Sequence, residues 1–461
     1  MNSKLTFTWE QARQVVENRV FAHFGEPLKE IQLSLLQDVW EGLTYSQIAQ
    51  KRYLSVNYLR GDLGPKLWQK LSLALGQEVT KTNFKALLET VGQTDSDTGG
   101  LWDTALPARA TTDWLFSAGS VPPDSAFYQE RRCDDLGWRV LQQSGGFLQV
   151  RSPRGMGKTS LVNQLLHRAN LQTYQTILFD LQSLEADWLS QWELFLRWFC
   201  LSLRQQFNPG EDQPLTGEPS WASPSEHCTQ FLATHILPYQ EQPWVLAFDG
   251  AERLFAYPAV LERWLRLLRH WHELTKTSPL WQSLRILVSY STSDRHFCAL
   301  SPQLFQFGML LELEDFQVSH LQRLMAQHQL QLSDGQIARI MEMIGGHPYL
   351  IRQFFHQLTL THLSLEQLLE TAPTQSGIYS EFLYQLGYDL QFSPELIQTL
   401  KRIVQVQQPL TLTPSLTYSL YHWGLIKKQG NQVVMKCALY RQYFRVIEHL
   451  IYPSIASSLL P

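Results

Sequence analysis

The pattern of apolar and polar positions is not uniform along the chain. From Phe127 to about Gly308, short apolar runs alternate with longer stretches whose apolar residues recur at helical spacing. Short apolar runs bounded by turn residues predict strands. The predicted strands are 147–151, 176–181, 244–249 and 284–290, with a fifth at 309–313. Because strands that alternate with helices usually form a parallel sheet, we predict an α/β domain over residues 127–314.

The pattern before this region is helical and then changes to that of a linker. Residues 1–92 predict an all-α domain, in which a short helix at 45–50, the N-cap Ser55 and a second helix at 56–63 form a helix-turn-helix. That arrangement is typical of many DNA-binding proteins. Residues 93–126 are rich in Ser, Thr, Gly, Pro and Asp, which predicts a linker.

The pattern after the α/β region is again helical and ends in a hairpin. Residues 315–393 predict a helical domain. Residues 394–461 predict two helices, 395–405 and 414–422, followed by two strands around a Gly-Asn turn at Gly430. Two helices and a hairpin in this order indicate a winged-helix domain.

The segment RSPRGMGKTSLV, residues 151–162, follows the first predicted strand. Its spacing is that of the phosphate-binding loop G-x-x-x-x-G-K-[ST], except that Ser152 replaces the first glycine. Such a loop surrounds phosphates with backbone N–H groups at a helix N-terminus. We expect Lys158 to reach the β- and γ-phosphates and Thr159 to bind Mg²⁺. The residues predicted to bind nucleotide here are Ser152, Pro153, Arg154, Gly155, Met156, Gly157, Lys158, Thr159 and Ser160.

Two later strands end in polar residues that extend this prediction. The strand WVLAFD ends in Asp249, an acid suited to hold the magnesium ion and its water shell. Hydrolysis also needs a group that activates water, and Gly250 stands where a glutamate commonly follows, so Glu252 is the candidate base. Losing a positioned base costs about 10²–10⁴ in rate, so the sequence favours nucleotide binding with slow or absent turnover. After the strand at 284–290, Ser291 or Thr292 is the candidate contact to the γ-phosphate.

Several blocks recur in order over about 120–450, among them VPPDSAFYQER, VLAFDGAERLF, GGHPYLIR and LYRQYF. Through these blocks the chain resembles the AAA-like ATPases found widely in cyanobacteria, which are related to the STAND signalling NTPases. The segment YLRGDLGPKLWQKLS, residues 58–72, resembles the helix-turn-helix module that often precedes such ATPases.

The resemblance implies an α/β P-loop NTPase fold with a parallel sheet of the ASCE type, followed by a helical lid and a winged helix, with ATP or ADP bound between them. It also implies that a G-x-P turn of the lid touches the nucleotide, which adds His347 and Pro348 to the predicted binding residues. Relatives usually have Asp-Glu at the end of the strand that corresponds to 244–249. They usually have His-Ser-Thr after the strand that corresponds to 284–290. This chain has Asp249-Gly250 and Ser289-Tyr290-Ser291-Thr292 there, and these departures weaken the expectation of hydrolysis.

Composition and charge limit which partners and which cellular compartment are expected. The formal net charge of −4 gives no global electrostatic reason to expect nucleic acid or an anionic membrane as a partner. The five cysteines are widely spaced and form no C-x-x-C pair, which argues against a disulfide framework and a zinc site and for a reducing compartment. No signal-peptide core or membrane-length apolar run occurs, so we expect a cytoplasmic protein.

The leading hypothesis is a regulatory switch in which ATP or ADP with Mg²⁺ stabilises one domain arrangement and residues 1–92 signal to a protein partner. Two alternatives remain: an active ATPase that uses Glu252 as base, and a nucleotide-dependent DNA-binding regulator. DNA is the less favoured partner because acidic residues offset the basic ones in residues 1–92, and phosphate neutralisation supplies most DNA affinity. No membrane partner is expected, and self-association remains open.

Overall fold

The computed structural model describes residues 8–24, 28, 30–45, 47–48, 64–75, 79–81, 83–85, 87–88, 119–207, 223–239, 242–361, 363–406 and 408–446. The chain divides into two compact units, residues 1–109 and 110–461. The predicted helix at 56–63 lies outside the described residues, as do most of the predicted linker and residues 208–222. The finer domain boundaries stay predictions.

The first unit is helical where it is described. Its helices are α1 (Trp9–Phe24), α2 (Glu30–Trp40) and α3 (Gly64–Leu75). Apolar side chains from all three are buried in one cluster, which includes Val16, Leu36, Leu71 and Phe84. Trp68 Nε1 donates a hydrogen bond of 2.8 Å to Tyr45 Oη, which ties α3 to the segment after α2.

The second unit is built on a five-stranded parallel sheet, as the alternating pattern predicts. Its strands are β1 (Phe147–Ser152), β2 (Gln175–Asp180), β3 (Trp244–Asp249), β4 (Leu284–Ser291) and β5 (Met309–Glu312). The spatial order is β2-β3-β4-β1-β5, and the paired strands are parallel. One strand, β4, therefore lies between β1 and β3, which is the additional strand that defines the predicted ASCE type.

Helices cover both faces of this sheet. They are α4 (Arg132–Gln142), α5 (Lys158–Leu171), α6 (Ala186–Ser190), α7 (Trp192–Phe207), α8 (Pro224–Phe231) and α9 (Pro258–Thr277). One face has a largely aliphatic core that includes Val150 and Leu165. The other is rich in aromatic rings, where Phe179 stacks on Phe248 with ring centroids 5.2 Å apart. Every residue of β3 is buried, as expected for a central strand.

A helical region and a small hairpin domain follow the sheet. The helices are α10 (Val318–Gln327), α11 (Asp334–Ile344), α12 (Pro348–Leu360), α13 (Leu365–Thr371) and α14 (Ser380–Leu390). Then come α15 (Pro394–Gln405), α16 (Pro414–His422), β6 (Ile426–Gln429), β7 (Gln432–Met435) and α17 (Ala438–Val446). The antiparallel pairing of β6 and β7 matches the predicted hairpin. The two regions share one apolar core, which includes Phe354, Leu400 and Tyr440.

None of the helices in the described residues combines the length and the apolar character that crossing a bilayer requires.

Candidate functional site

The loop between β1 and α5 has the backbone that the phosphate-loop pattern requires. Gly155 and Gly157 have φ of +75° and +90°, a region that favours glycine. A Cβ on Gly155 would lie 2.6 Å from His347 Cε1, and one on Gly157 would lie 3.3 Å from Arg131 Nη2. Both glycines are thus required by their conformation, and Gly155 also by the closeness of a second segment. The helix α5 begins directly after Gly157, so its N-terminus faces the loop.

Lys158 is half-buried, and its side chain turns back onto its own loop. Its Nζ donates to Ser152 O at 3.1 Å and to Pro153 O at 2.9 Å. Burial lowers the pKa of Lys158 to about 8, an effect that the carboxylates of Glu252 and Asp249 partly oppose. A phosphate beside the ammonium group would favour its charged form, so the site is suited to bind a polyanion.

The two residues predicted to bind magnesium are brought together. Thr159 Oγ1 donates to Asp249 Oδ2 at 2.7 Å. Ser289, on the neighbouring strand β4, donates to the other oxygen of the same carboxylate. A hydroxyl and a carboxylate are the oxygen ligands that Mg²⁺ prefers, and Mg²⁺ commonly takes one or two protein groups together with phosphate oxygens. The donor set therefore fits this ion.

The structure gives a physical reason for the glycine after Asp249. Gly250 has φ of +77°, and a Cβ there would lie 2.5 Å from Gln182 Cγ. A glutamate at this position would be strained and would overlap Gln182. The carboxylate instead comes from Glu252, on the 3₁₀ turn Ala251–Ala256. Its Oε1 accepts from Gln182 Nε2 at 2.6 Å and its Oε2 from Ser291 N at 2.9 Å.

Ser291 and Thr292 make contacts within the protein. Ser291 Oγ lies 3.2 Å from Ser293 Oγ. Thr292 Oγ1 donates to His422 O at 2.6 Å, and its backbone N donates to Ser152 O at 3.1 Å. Neither Ser291 nor Thr292 is among the described residues that line the nucleotide cavity defined below. The structure links Ser291 to Glu252 and Thr292 to the winged helix, and a γ-phosphate contact stays a prediction.

The G-x-P turn of the lid lies against the phosphate loop. His347 Nε2 is 3.0 Å from Arg154 O, and because a carbonyl only accepts, Nε2 carries the proton. Burial, then the charge of Lys436, lowers the pKa of His347 to about 3, so the imidazole is neutral. Tyr349 N donates to Gly155 O at 3.1 Å. His347 thus contacts the loop backbone, whereas Pro348 lines the cavity.

Further contacts join the first half of the loop, residues 153–155, to the lid and the winged helix. Arg154 forms an ion pair of 3.1 Å with Asp389 on α14. Gly424, directly after α16 and Trp423, has φ of +72°, and a Cβ on it would lie 2.8 Å from Pro153 Cγ. The winged helix therefore packs on the phosphate loop itself.

A nucleotide cavity of about 450 Å³ lies between the loop and the lid. This volume is within the range of small-molecule sites. Besides the loop residues 154–160, its lining is Gly119, Ser120, Val121, Phe127, Tyr128, Gln129, Arg131, Gln182, Glu252, Phe316, Pro348, Tyr349 and Arg352.

Sequence reasoning missed most of the cavity lining outside the loop, and three of the missed residues are buried or bonded to the loop and α5. Arg131 is only 8% exposed, and its Nη1 donates to Met156 O at 2.9 Å, which places a buried cation beside the loop. Val121, assigned to the linker, donates its backbone N–H to Ser160 Oγ at 2.9 Å. Gln129 lines the cavity and is also buried. All three precede α4 in a segment without a recognisable spacing, and only the quoted block VPPDSAFYQER marked the region.

A phosphate loop on an ASCE-type sheet, with a helical lid and a winged helix against it, defines an AAA-like P-loop ATPase domain. The chain belongs to the AAA-like domain family, whose model matches residues 116–446. Residues 7–91 match the N-terminal helix-turn-helix domain of vWA-MoxR associated proteins. The family and the N-terminal module indicated by the motifs are thereby confirmed.

Three solved structures illustrate the similarity of the fold. A Walker-type ATPase of Pyrococcus abyssi is 16% identical, with 70% of this chain and 100% of that chain covered and a TM-score of 0.50. The ORC2 protein of Aeropyrum pernix, in ADPNP–ADP complexes, is 15% identical over 72% of this chain and 98% of that chain, with a TM-score of 0.43.

A STAND protein with a tetratricopeptide repeat sensor from Pyrococcus horikoshii is 13% identical over 70% of this chain and 43% of that chain, with a TM-score of 0.30. At these identities the likeness concerns the fold alone. A search of curated proteins found no match to the chain.

Proposed function

We propose that this P-loop ATPase domain is a nucleotide-dependent switch. It binds ATP or ADP with Mg²⁺, hydrolyses ATP slowly or not at all, and signals to a protein partner through residues 1–92. Lys158 and Arg131 provide positive charge for the phosphates, and Thr159 and Asp249 hold the metal. Mg²⁺ neutralises phosphate charge when it is bound.

One observation carries the proposal: the lid and the winged helix contact the backbone of the loop that would hold the phosphates. Tyr349 N bonds to Gly155 O, and His347 bonds to Arg154 O. The winged helix packs on Pro153 through Gly424. A ligand shifts a conformational equilibrium only by its different affinity for the two states. Phosphates that reposition this loop would change its contacts with the lid and with the winged helix. The two arrangements of these domains would then differ in their affinity for nucleotide.

The switch is tested by hydrogen exchange of the full chain without nucleotide, with Mg-ADP and with a non-hydrolysable Mg-ATP analogue. We expect protection around residues 345–361 and 414–435 to differ between the nucleotide states. The variant Lys158→Ala should show no such difference. Equal exchange in all states of the wild-type chain would contradict the switch.

The metal role is tested separately by Asp249→Asn. The affinity for nucleotide with Mg²⁺ should fall about tenfold, the change expected when a site loses one charged ligand bond of about 1.4 kcal/mol. The affinity without metal should hardly change. Asp180→Asn is a matched control, because Asp180 pairs with Asp249 in the sheet register and ends the neighbouring strand. Loss of affinity that is equal with and without Mg²⁺ would refute the assignment.

An active ATPase with Glu252 as base is the second candidate. Glu252 lines the same cavity as Lys158 and Thr159, and two hydrogen bonds fix its carboxylate. Phosphate release well above background from Mg-ATP, abolished by Glu252→Gln, would favour this candidate over a switch with little turnover.

A DNA-binding regulator is the remaining alternative, and the predicted helix 56–63 on which it depends is outside the described residues. Salt-dependent binding of the full chain to duplex DNA, lost when Arg60 is replaced by alanine, would favour it.

A further inference from the structure

Two cysteines that are far apart in the sequence are in contact in the structure. Cys200, on α7, donates a hydrogen bond to Cys228, on α8, and the two Sγ atoms are 3.7 Å apart. All five cysteines of the chain lie in the described residues as free thiols, and this is the one sulfur–sulfur contact among them. Neither cysteine lines the nucleotide cavity, so the pair is independent of the proposed nucleotide binding.

The backbone around the pair is held in place on the aromatic face of the sheet. Trp271 Nε1, on α9, donates to Thr229 Oγ1 at 3.0 Å, directly beside Cys228. The same indole stacks on Phe199, directly beside Cys200, with ring centroids 5.8 Å apart. One side chain of α9 thus contacts the neighbours of both cysteines. The contact between the two sulfurs is therefore part of a packed core.

Disulfide formation needs only a small movement from this arrangement. An S–S bond is about 2.05 Å long, so the two sulfurs would have to approach by about 1.7 Å. Cys200 is 8% exposed and Cys228 is 1% exposed, so a small oxidant meets Cys200 first. We propose that Cys200 and Cys228 form a disulfide when the protein meets a peroxide, and that this bond stabilises the packing of α7 on α8. In a reducing compartment such a bond forms only while the oxidant is present.

The reaction balances with one molecule of hydrogen peroxide. The Cys200 thiolate attacks a peroxide oxygen, the O–O bond breaks, and a sulfenic acid and hydroxide form. The hydroxide takes up the proton that the thiol has lost and becomes water. The Cys228 sulfur then attacks the sulfur of the sulfenic acid, the S–O bond breaks, and the Cys228 proton leaves with the oxygen as a second water. Two electrons pass from the sulfurs to the peroxide.

The second step is the slow one. Burial, followed by the hydrogen bond with Cys200, raises the pKa of Cys228 well above its usual value. Because the thiolate is the nucleophile, this lowers the rate at which Cys228 attacks. The sulfenic acid of Cys200 should therefore exist long enough to be trapped.

The test treats the full chain with hydrogen peroxide and counts its thiols after denaturation. The count should fall from five to three, because two thiols are consumed. Peptide mapping should find the peptides of Cys200 and Cys228 linked, about 2 Da lighter than their sum, and separated again by a reductant. Met309, which is 45% exposed, is the internal reference, because its conversion to the sulfoxide shows that peroxide has acted.

Two variants and a control establish the order of the steps. Cys228→Ala should accumulate the sulfenic acid of Cys200, which dimedone traps, whereas Cys200→Ala should leave Cys228 unreacted at the same peroxide dose. Cys133→Ala removes a buried cysteine from α4 and is the matched control, which should form the disulfide as the wild-type chain does. Thermal unfolding establishes that each variant is folded.

The outcomes are decisive in the wild-type chain alone. Five surviving thiols beside an oxidised Met309, or a disulfide that joins any other pair of cysteines, would overturn the proposal. The bond closes a loop of about 30 residues, so the oxidised chain should unfold about 5 °C higher than the reduced chain. Equal unfolding temperatures in the presence of the mapped bond would refute its stabilising role.

Discussion

The two halves of the phosphate loop are held by different parts of the second unit. In the described part of the chain, the side-chain hydrogen bonds of residues 157–159 stay within the α/β domain, where Thr159 bonds to Asp249 and Lys158 bonds to carbonyls of its own loop. Residues 153–155 contact the α/β domain as well, where Arg154 N donates to Ser293 Oγ at 2.8 Å, but they also contact the lid and the winged helix through His347, Tyr349, Asp389 and Gly424.

This difference separates two tasks within one short segment. The half bound to the rigid sheet carries the groups that suit phosphate and metal, and its geometry depends on β1 and β3. The half that also contacts the lid and the winged helix carries backbone carbonyls, whose partners would change if either of these parts moved. Variants in the first group should therefore change affinity, and variants in the second group should change conformation.

The largest expected effect comes from the half that is bound to the sheet. Lys158→Ala removes charge-assisted hydrogen bonds to phosphate, so we expect the affinity for ATP to fall about a hundredfold in calorimetry, equivalent to about 2.7 kcal/mol. Lys276→Ala, which removes an exposed lysine paired with Glu273, should have no effect. An unchanged affinity in Lys158→Ala would refute the loop assignment.

The next effect concerns the contact with the winged helix. Gly424→Ala adds a Cβ at 2.8 Å from Pro153 Cγ, and Gly430→Ala adds one in open space at a similar φ, +61° against +72°. Both carry the cost of a positive φ, but only Gly424→Ala also overpacks, so we expect it to lose about 2 kcal/mol more stability in urea unfolding.

If the two glycine variants lose equal stability, the winged helix does not pack on the loop in solution. Hydrogen exchange over residues 414–435 should rise in Gly424→Ala and stay near wild type in Gly430→Ala.

A third effect concerns the pH dependence of the lid contact. The pKa of His347 falls from 6.5 to about 3 on folding because of burial and Lys436. Above pH 6.5 neither state is protonated and His347 contributes no pH dependence. Between pH 6.5 and about 3 the unfolded chain takes up a proton and the folded chain does not, so stability falls as the pH falls, by about 1.4 kcal/mol per unit.

His347→Gln should remove this slope, as urea unfolding at pH 7, 6 and 5 would measure. His328 and His422 also have lowered pKa values of about 4, so the informative quantity is the difference between wild type and variant. Identical slopes would mean that His347 is solvated rather than buried against Arg154.

The smallest effect belongs to the exposed contact. Asp389→Asn removes the ion pair with Arg154, whose side chain is 52% exposed. Exposed pairs contribute about 0–1 kcal/mol, so we expect a loss below 1 kcal/mol and a weak dependence on salt. A loss as large as that of Gly424→Ala would make the lid contact, and not the winged helix, the main constraint on the loop.

The parts predicted well from the sequence are those set by local pattern. Apolar runs of strand length have to be buried, and the predicted bounds of β3 and β4 therefore agree with the observed bounds to within one residue. The spacing and the strand ends also brought out Lys158, Thr159 and Asp249, of which Thr159 and Asp249 are in contact, while their roles toward nucleotide and metal stay predictions.

The parts not predicted depend on contacts between distant segments. Nothing in the sequence near Arg131 indicates that it bonds to Met156. Nothing near Gln129 indicates that its side chain bonds to Arg323. The sequence predicts the loss of a base at Gly250, whereas the structure shows that its positive φ disfavours any side chain there and that a Cβ would displace Gln182.

Val121 has a consequence for how the chain is anchored. Its N–H donates to Ser160 Oγ at 2.9 Å, one position after Thr159, and the preceding Ser120 Oγ lies 3.5 Å from Asn163 Nδ2 on the same helix. The segment before α4 is therefore joined to the helix whose N-terminus completes the phosphate loop, and a shift of that helix on nucleotide binding would reach this segment directly.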